Sequence, residues 1–307
     1  MHAPVISAVS FTMILIVIPT FREPEHVAHL LSDLSEQRNR DFHVTVVNAS
    51  PGDETSALVR SYTSSLAVNE LPARKNDFWT GSVARGVRYA TSNPDRYSAV
   101  LFLNCDLRVP PDLTEQAAHD MARYPDSVTC YAAHAGGKYV TSGVSMRSWP
   151  LSWTRHEPRG ALRPAGQRIL VDMLAGRALL IALRWIDRIG EPDRLRLPHY
   201  GADYEYTRRV VRHGGTCVVS TEVTVESDVH NTGARASHRG TRFAGRLKML
   251  WSKRSPSNLL YRTRFVYLTY PRGTRVLGFL SIFAKTAVEL LFGHRAFRGS
   301  ARHHVVS

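Results

Sequence analysis

Short unbroken apolar runs alternate with amphipathic stretches through the first third of the chain. Residues 13–18 (Met-Ile-Leu-Ile-Val-Ile), 43–48 (His-Val-Thr-Val-Val-Asn) and 99–104 (Ala-Val-Leu-Phe-Leu-Asn) read as buried strands. Between them Val27, Leu30, Leu31 and Leu34 recur at helical spacing and predict a helix over 24–38; further helices are predicted over 53–65 and 80–91. Strands apolar on both faces and separated by helices make βαβ units, so the expected fold is α/β, with a mostly parallel sheet covered on both sides. Such sheets bind ligands at the carboxyl ends of their strands. Those ends carry Pro19-Thr20, Asn48-Ala49-Ser50 and Asn104-Cys105-Asp106.

The pattern loosens after residue 126. β-like runs at 127–132, 138–146 and 169–183 flank a Pro/Arg/Gly-rich stretch at 154–168, which is expected to be a long loop. A helix is predicted over 203–213, stopped by Gly214-Gly215, followed by a strand over 216–225. No internal repeat is evident. Residues 1–12 are expected to be a loose extension, with Met13 as a possible start; a basic n-region and a small-residue cleavage site are both missing for a signal peptide. The division expected is an extension over 1–12, a body over 13–235 and a tail over 236–307.

Charge changes the view of that tail. The net charge is +14, yet residues 231–307 hold 15 Lys or Arg against the single acid Glu289, which leaves residues 1–230 neutral. A basic tail on a neutral body points to a polyanionic partner, nucleic acid or an anionic membrane. Its helical stretches break at Pro256 and Pro271, and residues 276–292 are nearly all apolar apart from Lys285 and Glu289. Seventeen residues with two charges is short for a span. The run suits a helix lying in a membrane interface, or one packed on the body or on a second subunit. Apolar runs this long favour a membrane over nucleic acid. Three cysteines without a CxxC pair exclude a disulfide framework and a zinc site of the usual spacing.

Five polar constellations carry candidate chemistry. Asp106, just past a buried strand, either supplies an oxygen ligand for a divalent cation on a diphosphate or caps the turn before Pro110. Asp203, at the start of a helix, serves either as a general base or as a capping residue. The turn Asn48 to Thr55, including Asp53, offers backbone amides at a helix start, as an ordinary strand–helix turn also would. Asn76 and Trp79 precede a Gly-Ser helix start, where Trp79 either lines a pocket or fills the core. His230 is either a late metal ligand or a packed surface histidine.

Taken in order, these segments resemble glycosyltransferase family 2. The chain has Ile18-Pro19-Thr20-Phe21-Arg22 where the family opens with a strand and a Pro-Thr segment. The turn with Ser50 and Asp53-Glu54-Thr55, the loop from Asn76 to Gly86, Asn104-Cys105-Asp106, and Ala202-Asp203 with Arg209 and Gly214 follow in the family's order, over roughly 13–232. The resemblance implies a GT-A fold, a Rossmann-like sheet with a basic helical C-terminal appendage here. It implies an inverting transfer from a nucleotide-diphosphate sugar, dTDP- or UDP-linked, to a glycan or lipid-linked acceptor. Pro19, Thr20, Arg22, Asn48, Asp53, Asn76, Trp79 and Asn104 would bind the donor. Asp106 and His230 would hold Mg²⁺ or Mn²⁺, Asp203 would be the base, and Glu205 and Tyr204 would face the acceptor. Three positions depart from the family: Asn48-Ala49 where an Asp is common, Asn104 for the first acid of the metal motif, and Ala202 for a Glu, with Glu205 as a substitute acid. The Asp-Tyr-Glu-Tyr version is similar to bacterial rhamnosyltransferase-like enzymes of cell-surface polysaccharide synthesis, which implies a peripheral enzyme on the cytoplasmic face of the membrane, with a homodimer possible and no nucleic acid. The rival readings are a nucleotidyltransferase, which wants a Gly-rich signature missing after the first strand, and a non-catalytic scaffold using the basic tail.

Overall fold

The computed structural model describes residues 13–162, 166–228 and 243–292; the expected extension over 1–12 and His230 lie outside them. The chain runs β1 (Met13–Thr20), α1 (Pro24–Ser35), β2 (Phe42–Asn48), α2 (Glu54–Tyr62), β3 (Val68–Pro72), α3 (Phe78–Thr91) and β4 (Tyr97–Leu103). It continues with β5 (Leu107–Arg108), α4 (Leu113–Arg123), β6 (Ser127–Ala135), β7 (Lys138–Tyr139), β8 (Gly143–Ser148), β9 (Trp153–Glu157), β10 (Arg168–Val171), β11 (Met173–Leu174) and β12 (Ala178–Ala182). Then come α5 (Leu183–Ile189), α6 (Ala202–Arg212) and β13 (Thr216–Ser227).

The main sheet has the order β10-β13-β6-β12-β4-β1-β2-β3. β3, β2, β1 and β4 are mutually parallel, while β12 enters antiparallel between β4 and β6. Period-two alternation splits β1 between two cores. Ile14, Ile16 and Ile18 pack with Val27, Leu30 and Leu31 of α1, Val59 of α2 and Leu113 of α4. Leu15 and Val17 pack with Val83 and Val87 of α3, Ile186 of α5 and Tyr206 of α6. The helix–sheet approach is closest at Gly86, where a Cβ would lie 2.4 Å from Val17 Cγ1. Gly86→Ala should therefore lower stability by about 1–3 kcal/mol through overpacking, measurable by urea unfolding.

The sequence expectation holds for the α/β class and for a mostly parallel sheet; the sheet is also mixed, because β12 enters it antiparallel. Its middle needs correction. The stretch expected as a loop over 154–168 begins inside β9, which pairs with β8 in a separate three-stranded sheet, β11-β8-β9. The run at 138–146 divides between β7 and β8, and the run at 169–183 divides into β10, β11 and β12, with α5 starting at Leu183. The strand β3 and the helices α4 and α5 were not foreseen. β3 (Val-Asn-Glu-Leu-Pro) is a half-exposed edge strand with little apolar pattern, and α5 is too short and too buried for its period to show.

The tail forms α7 (Phe243–Met249), α8 (Leu259–Thr269), a 3-10 turn (Arg272–Thr274) and α9 (Arg275–Phe292), interrupted as expected at Pro256 and Pro271. It packs on the body beside α6. Tyr261 of α8 clusters with Leu197 and Ala202, and Phe265 lies against Gly201. On α9 the polar face turns inward: Lys285 Nζ donates to the Ser152 carbonyl at 2.6 Å, and Glu289 pairs with Arg262 at 2.8 Å. Burial pulls the Lys285 amine below its ordinary value. The outward face carries Val276, Leu277, Leu280, Phe283 and Leu291, exposed by 47–71%. Among the described residues, no helix is long and apolar enough to cross a membrane.

Candidate active site

The chain passes from β1 to β2 and β3 on one side, then returns to β4 on the other side of β1. The carboxyl ends of the strands at such a reversal, here β1 and β4, are the usual ligand position in an open α/β sheet. Register places Thr20 abreast of Asn48, and Asn48 abreast of Pro72.

Asn48 is fully buried. Its Nδ2 donates to Glu70 Oε1 at 2.9 Å and to Asp53 Oδ1 at 3.1 Å, and its Oδ1 accepts from Ser50 N at 2.9 Å. Asp53 caps α2 by accepting from Thr55 N at 3.0 Å. Burial pushes the Asp53 carboxyl up, but hydrogen bonds from Ser50, Asn48 and Thr55 outweigh it and hold the group below its ordinary value. Ser56 Oγ donates to Glu70 at 2.7 Å. Glu70 was absent from the sequence candidates; an acid facing two polar neighbours on an edge strand was its only mark. Pro19 and Thr20 are buried at the edge of this polar floor. Arg22 follows in the left-handed region at φ 58, with its N–H donating to Ser50 Oγ at 3.2 Å and its guanidinium exposed. Asn76 is exposed in the loop before α3.

A second centre forms where α3, β4, the β11–β12 link and α6 meet. Trp79 Nε1 donates to Asn104 Oδ1 at 3.0 Å. The face of Trp79 lies against Gly176, where a Cβ would come within 2.2 Å of its ring. Asp203 accepts from Gly176 N and from Tyr204 N, each at 2.9 Å. The carboxyl is 8% exposed, and burial pushes its pKa up to about 6 against the backbone hydrogen bonds that pull it down. Trp79, Asn104 and Asp203 thus meet although they are far apart in sequence.

Asp106 lies beside this centre. Burial raises its carboxyl; the Arg177 guanidinium opposes that rise and the Glu23 carboxylate adds to it. The Cys105 thiol donates to Glu23 Oε2 at 2.8 Å, and the Asp106 carbonyl accepts from Asp228 N at 3.0 Å. Glu205 is held elsewhere. Both of its oxygens bind Arg209, at 2.8 and 2.6 Å, and Arg209 also donates to the carbonyls of Ile189 and Glu191. Side chains two apart on a helix face opposite ways, so Glu205 does not join Asp203 as a second acid. Tyr204 is half-buried and contributes its backbone N–H to Asp203. Among the described residues, no group of three His, Cys, Asp or Glu side chains could share a metal ion. Asp106 offers a carboxylate oxygen of the kind a divalent cation takes when substrate phosphates and water supply its other ligands.

A family model described as "Glycosyl transferase family 2" matches residues 15–178. The matched segment includes Asn48, Trp79, Asn104, Asp106 and Arg177, and ends before Asp203. Solved structures share the fold. The crystal structure of S. aureus TarS 1–349 aligns with a TM-score of 0.56 at 13% identity, over 95% of this chain and 93% of that one. The same fragment in complex with UDP-GlcNAc gives 0.58 at 13% identity, over 95% and 93%. GalNAc-T7 with UDP, GalNAc and Mn²⁺ gives 0.58 at 12% identity, over 91% of this chain and 57% of that one. No curated protein sequence matches the chain.

Proposed function

As the chain belongs to glycosyl transferase family 2, it is a nucleotide-sugar-dependent glycosyltransferase, and we propose that it works by inversion with Asp203 as the general base. One observation carries this reading: Asp203 is a buried carboxyl with a pKa of about 6, held by two backbone amides, one of them that of Gly176, against which Trp79 also packs. A base poised near neutral pH both ionises in the cell and takes a proton effectively.

The donor nucleotide would lie over Thr20, Arg22 and the Asn48–Asp53–Glu70 floor, with its diphosphate toward Asp106 and its sugar toward Trp79 and Asn104. UDP- and dTDP-sugars are the expected donors; rhamnose is one candidate among the sugars. The acceptor hydroxyl would attack the anomeric carbon from the side opposite the diphosphate while Asp203 takes its proton. The chemistry of Asp106 fits Mg²⁺ or Mn²⁺ bound together with the donor, where the ion would neutralise charge on the departing diphosphate. A panel of UDP- and dTDP-sugars, with and without Mn²⁺, tests this by release of nucleoside diphosphate. Release from none of them, with a glycan or lipid-linked acceptor supplied, would remove the reading. The profile of kcat/KM should rise with pH through about 6 and then level, since only the ionised carboxylate accepts the proton. A flat profile between pH 5 and 7 would exclude Asp203 as the base.

The outward face of α9 supports a place on the cytoplasmic surface of the membrane, in the synthesis of a cell-surface polysaccharide or glycolipid. Val276, Leu277, Leu280 and Phe283 form an exposed ridge, with exposed Leu151 and Trp153 nearby through the Ser281–Leu151 hydrogen bond. Each nearby Lys or Arg adds about 1 kcal/mol of attraction to an anionic leaflet. Leu280→Asp combined with Phe283→Asp should weaken sedimentation with phosphatidylserine-containing vesicles by at least about tenfold. Vesicle binding left intact, with a dimer lost instead, would assign the ridge to a second subunit.

A further inference from the structure

Arg177 is the one strongly charged residue of the β11–β12 link, next to the Gly176 amide that holds Asp203. Its own carbonyl accepts from Asn104 N at 2.9 Å, which fixes it at the end of β4. The side chain is 2% exposed, and neither Nε nor Nη1 has a hydrogen-bond partner. Other deeply placed arginines of the body are paired: Arg168 with Asp120 at 2.8 Å, and Arg209 with Glu205 at 2.6 Å. A buried guanidinium without acceptors is strongly disfavoured unless an anion completes it. Residue 177 follows the glycine whose amide holds Asp203 and is hydrogen-bonded through its carbonyl to Asn104, two residues before Asp106, so the backbone brings it to the same strand end as both carboxyls that the proposed reaction uses.

We propose that Arg177 is a catalytic residue that binds the diphosphate of the nucleotide-sugar donor and stabilises it as it departs. This rests on the glycosyltransferase reading above and deepens it. The planar fork of a guanidinium matches phosphate oxygens with paired N–H donors, and Nε and Nη1, unpaired and covered in the unliganded chain, would become such donors once the diphosphate is seated. In the transfer step, a bond forms between the acceptor oxygen and the anomeric carbon, and the bond from that carbon to the β-phosphate oxygen breaks. The electron pair of the broken bond stays on the phosphate, and the acceptor proton goes to Asp203. Negative charge therefore grows on the diphosphate beside a buried guanidinium, where a fixed donor is most effective. Arg177 would thus offset part of the charge on a diphosphate that carries two negative charges in the bound donor and gains a third as the bond breaks.

The test is calorimetric binding of UDP and UMP, and of dTDP and dTMP, to the wild type, Arg177→Gln and Arg177→Lys, with turnover measured on the same samples. Arg177→Gln is expected to weaken diphosphate binding roughly 10- to 100-fold while monophosphate binding stays nearly constant. Turnover should fall by a further factor on the order of 10², and Arg177→Lys should restore part of both. Should Arg177→Gln not fold, the ratio of diphosphate to monophosphate affinity in Arg177→Lys makes the same distinction. An unchanged ratio in the variants, beside a wild type that binds and turns over donor, overturns the role of Arg177 alone. Equal loss for mono- and diphosphate with a lowered melting temperature marks a structural residue and also overturns it. A shifted pH profile with unchanged diphosphate affinity would show that Arg177 only tunes Asp203, again against the proposal. A wild type that binds neither diphosphate overturns this inference and the glycosyltransferase reading together.

Discussion

Asp203→Asn is expected to remove about 10²–10⁴-fold of turnover while making the protein more heat-stable at neutral pH. The two effects share one cause. Burial raises the Asp203 carboxyl to about 6 from an ordinary 3.8, so the folded state holds this proton more tightly than the unfolded chain. The stabilisation from that group is fully present below about pH 4 and is lost as pH rises through about 6. At pH 7 the ionised carboxylate therefore destabilises the fold, by on the order of 3 kcal/mol before any offset. Asn stays neutral, but it keeps an acceptor for only one of the two amides, Gly176 or Tyr204. A net gain of about 1 kcal/mol remains, worth roughly 2–4 °C in a domain of this size. Calorimetric melts at pH 7 and pH 4 check this: the advantage of Asn over Asp should be present at pH 7 and absent at pH 4. Wild-type turnover in the variant would end the assignment of Asp203, and an equal gain at both pH values would end the account of its stability.

Gly176→Ala should be the second severe change, without altering any charge. A Cβ there would lie 2.2 and 2.4 Å from two ring atoms of Trp79, and 3.2 Å from the Cβ of Asp203. Neither neighbour yields easily. Trp79 is tied to Asn104, and Asp203 is tied to the very amide of residue 176. The methyl group must separate α3 from α6, at a stability loss of about 1–3 kcal/mol. Displacing the base by about 1 Å is enough for a loss of roughly 10² in kcat. Gly273→Ala, with open space around its position, is the matched control. Retention of full kcat by Gly176→Ala would mean that Trp79 and Asp203 are not held by this contact.

The parts of the candidate site that the sequence marked stand at strand ends and helix starts. Asn48, Asn104 and Asp106 follow apolar runs, and Asp53 and Asp203 open helices, so local pattern alone marked them. Glu70 and Arg177 were not marked. Glu70 sits in an edge strand whose apolar alternation is weak, and its pairing with Asn48 and Ser56 depends on β2 and β3 lying in parallel register. Arg177 interrupts an apolar run between Leu174 and Leu183, and a lone charge in such a run was the available signal. Glu205 shows the opposite error. Its closeness to Asp203 in sequence suggested a shared role, but helix geometry sends it to Arg209.

What the sequence by itself determined is the α/β class, the order of β1, α1, β2, α2, α3 and β4, and the ends of those three strands, because hydrophobic period and turn chemistry are local properties. It also determined the division of charge between a neutral body and a basic tail. Only the tertiary structure decided which distant groups meet. The antiparallel insertion of β12 beside β4 brings Arg177 and Gly176 to Asn104, across more than seventy residues of chain. That same insertion brings the Gly176 amide to Asp203, so two separate acidic motifs come to one strand end. Burial then set their chemistry, since the solvent exposure of a carboxyl depends on everything packed around it and not on its neighbours in sequence.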